Sequence, residues 1–162
     1  MPFVPLDRMI CFALYSAGQA MQQTYKPLLE PLGLTYPQFL LLNVLWEGDN
    51  RTVGDLCAAL GLETNTVTPM LKRLEAAGLV GRARDQRDER RVHVRLTDKG
   101  RGLRERTADV AGCIASATGM PIPDLVRMTG QLQGLTAQLR SSLEQAQRAA
   151  SATTGSSSSH SA

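Results

Sequence analysis

The stretch from Thr52 to Leu96 fixes its own order of elements, because glycine cuts its apolar periodicity at set places. Thr52 is placed to cap a short helix running through Leu60, with Asp55 three residues on completing a capping-box-like pair. Gly61 supplies a turn, and a further helix is predicted from about Glu63 to Ala77, stopped by Gly78 as a left-handed C-cap. Two short strands are predicted near 79–84 and 91–96. Between them Asp85-Gln-Arg-Asp-Glu-Arg90 is wholly polar, as a solvated hairpin tip should be. Helix, glycine turn, helix and basic hairpin is the order of a winged helix-turn-helix, in a chain expected to be mainly α with a small β-wing.

The flanking segments read as helices. Asp7 is placed to cap a first helix that carries Ile10, Leu14, Ala17, Met21 and Leu28 at helical spacing, with Pro27 late in it. Pro31-Leu-Gly33 breaks the pattern, and Thr35-Tyr-Pro37 opens a second helix that ends at Gly48-Asp-Asn50. Thr97 should start a long fifth helix reaching Ala117, interrupted by Gly119 and Pro121. The last helix sets Leu125, Met128, Leu132, Leu135 and Leu139 at three- and four-residue steps, a seam suited to another helix. The expected organisation is residues 1–50 for sensing and part of dimerisation, 51–97 for the winged helix, 98–150 for dimerisation helices, and 151–162 as a disordered Ser/Thr-rich tail.

Charge is concentrated rather than spread. Between Lys72 and Arg104 stand eleven basic residues against five acids, so this window carries +6 of a formal net +3, and the remainder is −3. Such concentration is the electrostatic footprint of a nucleic-acid partner. No apolar run reaches the roughly 18–20 residues of a membrane span, and no secretory signal pattern is present, so a cytoplasmic address is expected. Three distant cysteines, Cys11, Cys57 and Cys113, make neither a disulfide framework nor a metal cluster. No cofactor and no metal are expected.

In the predicted fourth helix, Thr64, Asn65, Thr66 and Thr68 crowd the N-terminal turns with short hydrogen-bonding side chains that can reach base edges or phosphates. Lys72 and Arg73 lie one to two turns on, placed for backbone contacts, while Val67, Met70, Leu71 and Leu74 form the anchoring face. At the hairpin tip, arginines such as Arg87 and Arg90 can enter a minor groove.

Asp85-Gln-Arg-Asp-Glu-Arg90, followed by Val92-His-Val-Arg-Leu-Thr97 and Gly100, resembles the wing signature of the MarR regulators, over nearly the whole chain to about Arg148. The resemblance implies a homodimeric winged-helix repressor on a pseudo-palindromic double-stranded operator, dimerising through its terminal helices. It implies that Arg90 is the wing-tip arginine of the minor groove and that Asp88 supports it. Cys11-Phe-Ala-Leu-Tyr15, Tyr25-Lys-Pro-Leu-Leu29, Leu34-Thr-Tyr-Pro-Gln38 and Leu45-Trp-Glu47 are similar to the organic hydroperoxide resistance regulators within that family. There, the first-helix cysteine matching Cys11 senses the peroxide. Tyrosines matching Tyr25 and Tyr36 hydrogen-bond it across the dimer, and one matching Tyr15 lies near the same pocket.

The chemistry is coherent on its own terms. A peroxide is attacked by thiolate, and the first turns of a helix favour negative charge. Phenol hydroxyls can donate to the sulfur, and Phe12, Leu14, Phe39 and Trp46 would line the site for lipid-like or aryl hydroperoxides. Without the tyrosines, Cys11 reads as an inert core thiol. Cys113 stands one turn upstream of Ala117-Thr-Gly-Met120, where one branch of the family places a resolving cysteine at the position of Ser116. Resolution by Cys113 of the partner and simple packing both stay open, as does capping by an outside thiol. Cys57 reads as core. Two rival functions stand beside the sensor: a regulator released by a phenolic or aryl ligand with Cys11 incidental, and a thiol peroxidase, which would leave the basic hairpin unexplained.

Overall fold

The computed structural model describes residues 4–84, 88 and 91–155. Its elements in chain order are α1 (Ile10–Leu29), α2 (Tyr36–Glu47), β1 (Arg51–Thr52), α3 (Val53–Leu60), α4 (Thr64–Ala76), β2 (Val80–Arg84), β3 (Val92–Leu96), α5 (Asp98–Arg106), α6 (Ala108–Thr118) and α7 (Ile122–Gly155). The expected class holds: mainly α, with one small antiparallel sheet in the order β1-β3-β2. In the hairpin Val80 stands opposite Leu96 and Arg84 opposite Val92.

Each turn of the helix-turn-helix has a local cause. Thr52 Oγ1 accepts the Asp55 N–H at 3.1 Å while the Asp55 carboxylate accepts the Thr52 N–H at 2.9 Å, so two otherwise unpaired donors at the start of α3 are satisfied. Those hydrogen bonds hold the Asp55 carboxyl below its ordinary range. Gly61 (φ 64°) and Gly78 (φ 71°) take left-handed conformations that close α3 and the turn after α4. The apolar faces meet in a core where Leu41, Leu42, Leu56, Val67, Leu71 and Val94 are fully buried.

Three expectations change, and one strand is new. Asp7 caps nothing: it lies within a short 3-10 turn, Leu6–Arg8, and α1 starts at Ile10 behind Met9 with no side-chain cap. The predicted long fifth helix is two helices. Thr107 breaks it because its Oγ1 donates to the Arg104 carbonyl at 2.8 Å, competing with the backbone ladder. The last helix, expected to give way at Ser151, continues to Gly155. The two-residue strand β1, too short to leave a pattern, pairs Arg51 with Val94 and Thr52 with His93.

Residues 1–117 and 118–162 form two units. The second is essentially α7, a 34-residue helix on which Val126, Leu132, Leu139 and Leu143 are exposed. Among the described residues no helix is long and apolar enough to cross a membrane.

Candidate nucleic-acid interface and sensor site

The candidate reading face of α4 is built as its sequence demands. Val67, Met70, Leu71 and Leu74 are buried, which turns Thr64, Asn65, Thr66, Lys72 and Arg73 outward and leaves Thr68 half-buried. The helix is tied to the hairpin by Arg82 of β2, whose guanidinium donates to the Glu75 carboxylate through Nε at 2.9 Å and through a second, closer nitrogen. That cation holds the Glu75 carboxyl below its ordinary value. At the C-terminal end of α4, Thr97 Oγ1 donates to the Gly78 carbonyl (2.7 Å) and Lys99 Nζ to the Ala77 carbonyl (2.8 Å). Side-chain hydrogen bonds therefore tie α4 to the hairpin and its root along the helix's C-terminal half.

The hairpin tip is described only at Asp88, whose Oδ2 lies 3.8 Å from Arg91 Nε and whose carbonyl accepts the Arg91 N–H at 2.8 Å. Arg87 and Arg90 lie outside the described residues.

A second node, absent from the sequence reading, clamps the hairpin root from below. Asp49 Oδ1 accepts the Leu96 N–H (2.9 Å), and its other oxygen meets Arg101 at 3.2 Å. Arg101 also donates to the Leu96 carbonyl, and Arg95 donates to Asn50 Oδ1 at 2.7 Å. Asn50, with φ 61°, is the one non-glycine residue in the left-handed region among those described. Its place after Gly48-Asp49 was the available signal, since asparagine tolerates that conformation in turns.

The candidate sensor residues fall into two groups. Tyr25 and Tyr36 sit together where α1 meets α2, their ring centroids 4.6 Å apart. Phe39 lies 5.7 Å from Tyr25, and Trp46 6.2 Å from Phe39 in an edge-on arrangement. Burial raises both phenols above their ordinary value near 10, with Tyr36 adding to the shift on Tyr25. Both hydroxyls are therefore protonated donors throughout the neutral range. The rings of Tyr25, Phe39 and Trp46, with Asn43 and Arg104, line a cleft of about 600 Å³.

Cys11 is elsewhere. It is exposed in the first turn of α1, fourteen residues from Tyr25, which is about 21 Å of helix rise. Tyr15 is exposed one turn below it, its hydroxyl accepting from Gln19 Nε2 at 3.0 Å. Phe12 and Leu14 are exposed at the same end. Within one chain, then, the expected lining is split: Phe12 and Leu14 stay with Cys11, Phe39 and Trp46 with the tyrosine pair. Cys113 is exposed on α6, and Cys57 is half-buried against the core with its sulfur 3.7 Å from Thr64 Oγ1.

A helix-turn-helix whose second helix leads into an antiparallel hairpin, rooted on a further helix, defines a winged-helix regulator. The family model described as transcriptional regulator SarA/Rot matches residues 23–106, half of the chain, and the chain belongs to that family. It is 41% identical to the organic hydroperoxide resistance transcriptional regulator of Bacillus subtilis over 80% of this chain and 88% of that one. It is 46% identical to the HTH-type transcriptional regulator TtmR of Methylorubrum extorquens over 74% of this chain, a match spanning 61% of that relative's length. Among solved structures, reduced AbfR of Staphylococcus epidermidis bound to DNA superposes with a TM-score of 0.74 at 33% identity, covering 85% of this chain and 94% of that one. The disulfide-formed AbfR superposes less closely, with a TM-score of 0.57 at 34% identity over 86% and 92%.

Proposed function

We propose that the chain is a homodimeric repressor that binds a pseudo-palindromic operator when reduced and releases it when an organic hydroperoxide oxidises Cys11. The observation that carries this reading is the split site. A protonated, half-buried tyrosine pair stands about 21 Å along α1 from an exposed thiol that shares its motif. No side chain spans that distance, so the two groups meet only when a second copy brings its Cys11 to the pair. The exposed apolar side chains beside Cys11 (Ile10, Phe12, Leu14) and along α7 give the two copies surface to bury. The similarity to a named organic hydroperoxide regulator supports the same reading.

The chemistry closes as follows. The Cys11 thiolate attacks the terminal oxygen of the hydroperoxide, the S–O bond forms and the O–O bond breaks. Sulfur is oxidised by two electrons to the sulfenic acid, while the peroxide leaves as an alkoxide that takes a proton to become the alcohol. Tyr25 and Tyr36 of the facing copy donate hydrogen bonds to the sulfur, and Tyr15 flanks it. Oxidation changes what those donors face. Exposed Cys113 is then available to condense with the sulfenic acid and expel water as a disulfide. On the DNA side, Thr64, Asn65, Thr66 and Thr68 meet the major groove, Lys72 and Arg73 the phosphates, and Arg87 and Arg90, supported by Asp88, the minor groove.

The test is operator binding before and after cumene hydroperoxide, in the native protein and in Cys11→Ser. Release of both alike sinks thiol sensing. Mixed dimers sharpen the result. A Cys11→Ser chain paired with a Tyr25→Phe/Tyr36→Phe chain holds one intact site if the site spans two chains and none if it does not. Recovery of the response in the mixed dimer, absent from both parents, is expected. The cleft beside Tyr25 favours one rival, an aryl acid held by Arg104. Release of Cys11→Ser by an oxidation-inert aryl acid would establish that rival.

A further inference from the structure

The aromatic cluster does not end at the tyrosines. From Tyr36 through Tyr25 and Phe39 to Trp46 the centroid spacings are 4.6, 5.7 and 6.2 Å, each within the range of attractive ring pairs. Trp46 then leaves the cluster by its polar edge: its Nε1–H donates to the Gly100 carbonyl at 2.9 Å, across 54 residues of sequence. Gly100 stands in the first turn of α5, packed against the hairpin root. Its N–H donates to Thr97 Oγ1 (3.0 Å), and that hydroxyl donates in turn to the Gly78 carbonyl behind α4. Thr97 N–H donates to the Leu79 carbonyl at 3.1 Å.

Two features make this a coupling rather than a chain of contacts. Tyr36, Phe39 and Trp46 all stand on α2, a twelve-residue helix, so a displacement at the Tyr36 end is carried to Trp46 by a rigid element. At the far end Gly100 cannot absorb the displacement locally. The space where its Cβ would stand is filled by the Leu79 carbonyl oxygen, 2.0 Å away. Close-packed interiors pass strain on instead of dissipating it.

We propose that Trp46 is a positioning residue that ties the Tyr25–Tyr36 pair to the root of the wing through the Gly100 carbonyl. The proposal deepens the sensor reading and rests on it for the event that moves the tyrosines. It assigns the indole N–H a task that packing alone does not require, because a phenylalanine would fill much of the same apolar space.

Trp46 is the only tryptophan in the chain, so its fluorescence reports from the joint itself. In the full-length native protein, cumene hydroperoxide should shift Trp46 emission in step with operator release and leave it unshifted in Cys11→Ser. Trp46→Phe should bind operator within about threefold of native when reduced. Because Trp46 also lines the cleft beside Tyr25, release is scored against Cys11 sulfenic acid, read by dimedone labelling: at the sulfenic acid content that frees the native protein from operator, Trp46→Phe should stay bound. Native-like release by Trp46→Phe, or release of the native protein without any change in Trp46 emission, overturns the proposal. If native Cys11 takes no dimedone, the sensor reading fails instead. The coupling is then read in reduced Tyr36→Phe, where shifted Trp46 emission supports it and an unchanged spectrum refutes it. Tyr36→Phe also serves if Trp46→Phe does not fold.

Discussion

Gly100→Ala asks the structure for a number. Gly100 and Gly102 both lie in α5, so by intrinsic propensity alone each alanine substitution stabilises by roughly 0.5–1 kcal/mol. Their surroundings separate them. A Cβ at Gly102 meets nothing within 4 Å, whereas one at Gly100 falls 2.0 Å from the Leu79 oxygen and 3.0 Å from its carbonyl carbon. Real Cβ atoms keep at least 3.0 Å, so α5 must back away from Leu79 by about an ångström. That movement strains two hydrogen bonds, Thr97 N–H to Leu79 and Trp46 Nε1–H to Gly100, worth about 1 kcal/mol each. Overpacking adds about 1–3 kcal/mol, and the propensity gain offsets about 1, leaving a net loss of about 2–4 kcal/mol. Against a typical total of about 5–15 kcal/mol this is large but survivable. Urea unfolding at fixed protein concentration is the assay, and a slope near 2 kcal/mol/M turns the loss into a midpoint roughly 1–2 M lower. Gly102→Ala should hold its midpoint or raise it. If Gly100→Ala stays within 0.5 kcal/mol of native, the close approach at the hairpin root is wrong, and the argument for rigid coupling through it goes too.

Lys72→Ala and Arg73→Ala should each weaken operator binding on any sequence and reduce the salt slope, in log–log form, by about one; an unchanged slope removes that residue from the phosphate contacts. Thr52→Ala should cost about 1 kcal/mol of stability by urea unfolding, since it removes the hydroxyl that accepts the Asp55 N–H while the backbone N–H of residue 52 can still donate to the Asp55 carboxylate; no measurable loss would mean the cap is not formed in solution. The raised phenols predict an alkaline limb. The folded state holds the Tyr25 and Tyr36 protons more tightly than the unfolded chain, so their contribution is intact below about pH 10 and declines as pH rises through the folded values. Tyr25→Phe/Tyr36→Phe should flatten that limb in pH-dependent unfolding, and persistence of the limb would assign it to other groups.

What could be read from the sequence is what local chemistry decides. Gly61 and Gly78 closed their helices because only glycine takes that backbone cheaply, and Thr52 with Asp55 capped α3 because spacing alone puts each side chain on the other's N–H. The buried face of α4 followed from periodicity, and with it the outward set from Thr64 to Arg73. The misses share a cause. Asp7 failed as a cap because the chain turns once before α1, and Thr107 broke α5 from α6 through one hydroxyl bond that a helical pattern does not show. Trp46 to Gly100, Asp49 to Leu96 and Arg82 to Glu75 join residues 54, 47 and 7 positions apart, where neither periodicity nor turn chemistry reaches. The candidate sensor set could be named from the sequence, yet its split between the two ends of α1 needed the helix to be built.

That split has a consequence for how a signal travels. The tyrosine pair, Phe39, Trp46 and Gly100 belong to one chain and end at that chain's own wing. The thiol that meets the pair comes, on the proposed reading, from the other. Each Cys11 therefore addresses the opposite wing, and a dimer oxidised at one thiol loosens one half-site while the other stays seated. Two half-sites joined in one dimer hold the operator far more tightly than either alone, because the second contact is made at the high effective concentration set by the first. Loss of one seat thus removes most of the affinity, and a single turnover at one Cys11 is enough to derepress. The mixed dimer with one intact site is then expected to respond to peroxide almost as fully as the native protein, not half as much. A half-sized response would mean that the two wings act independently.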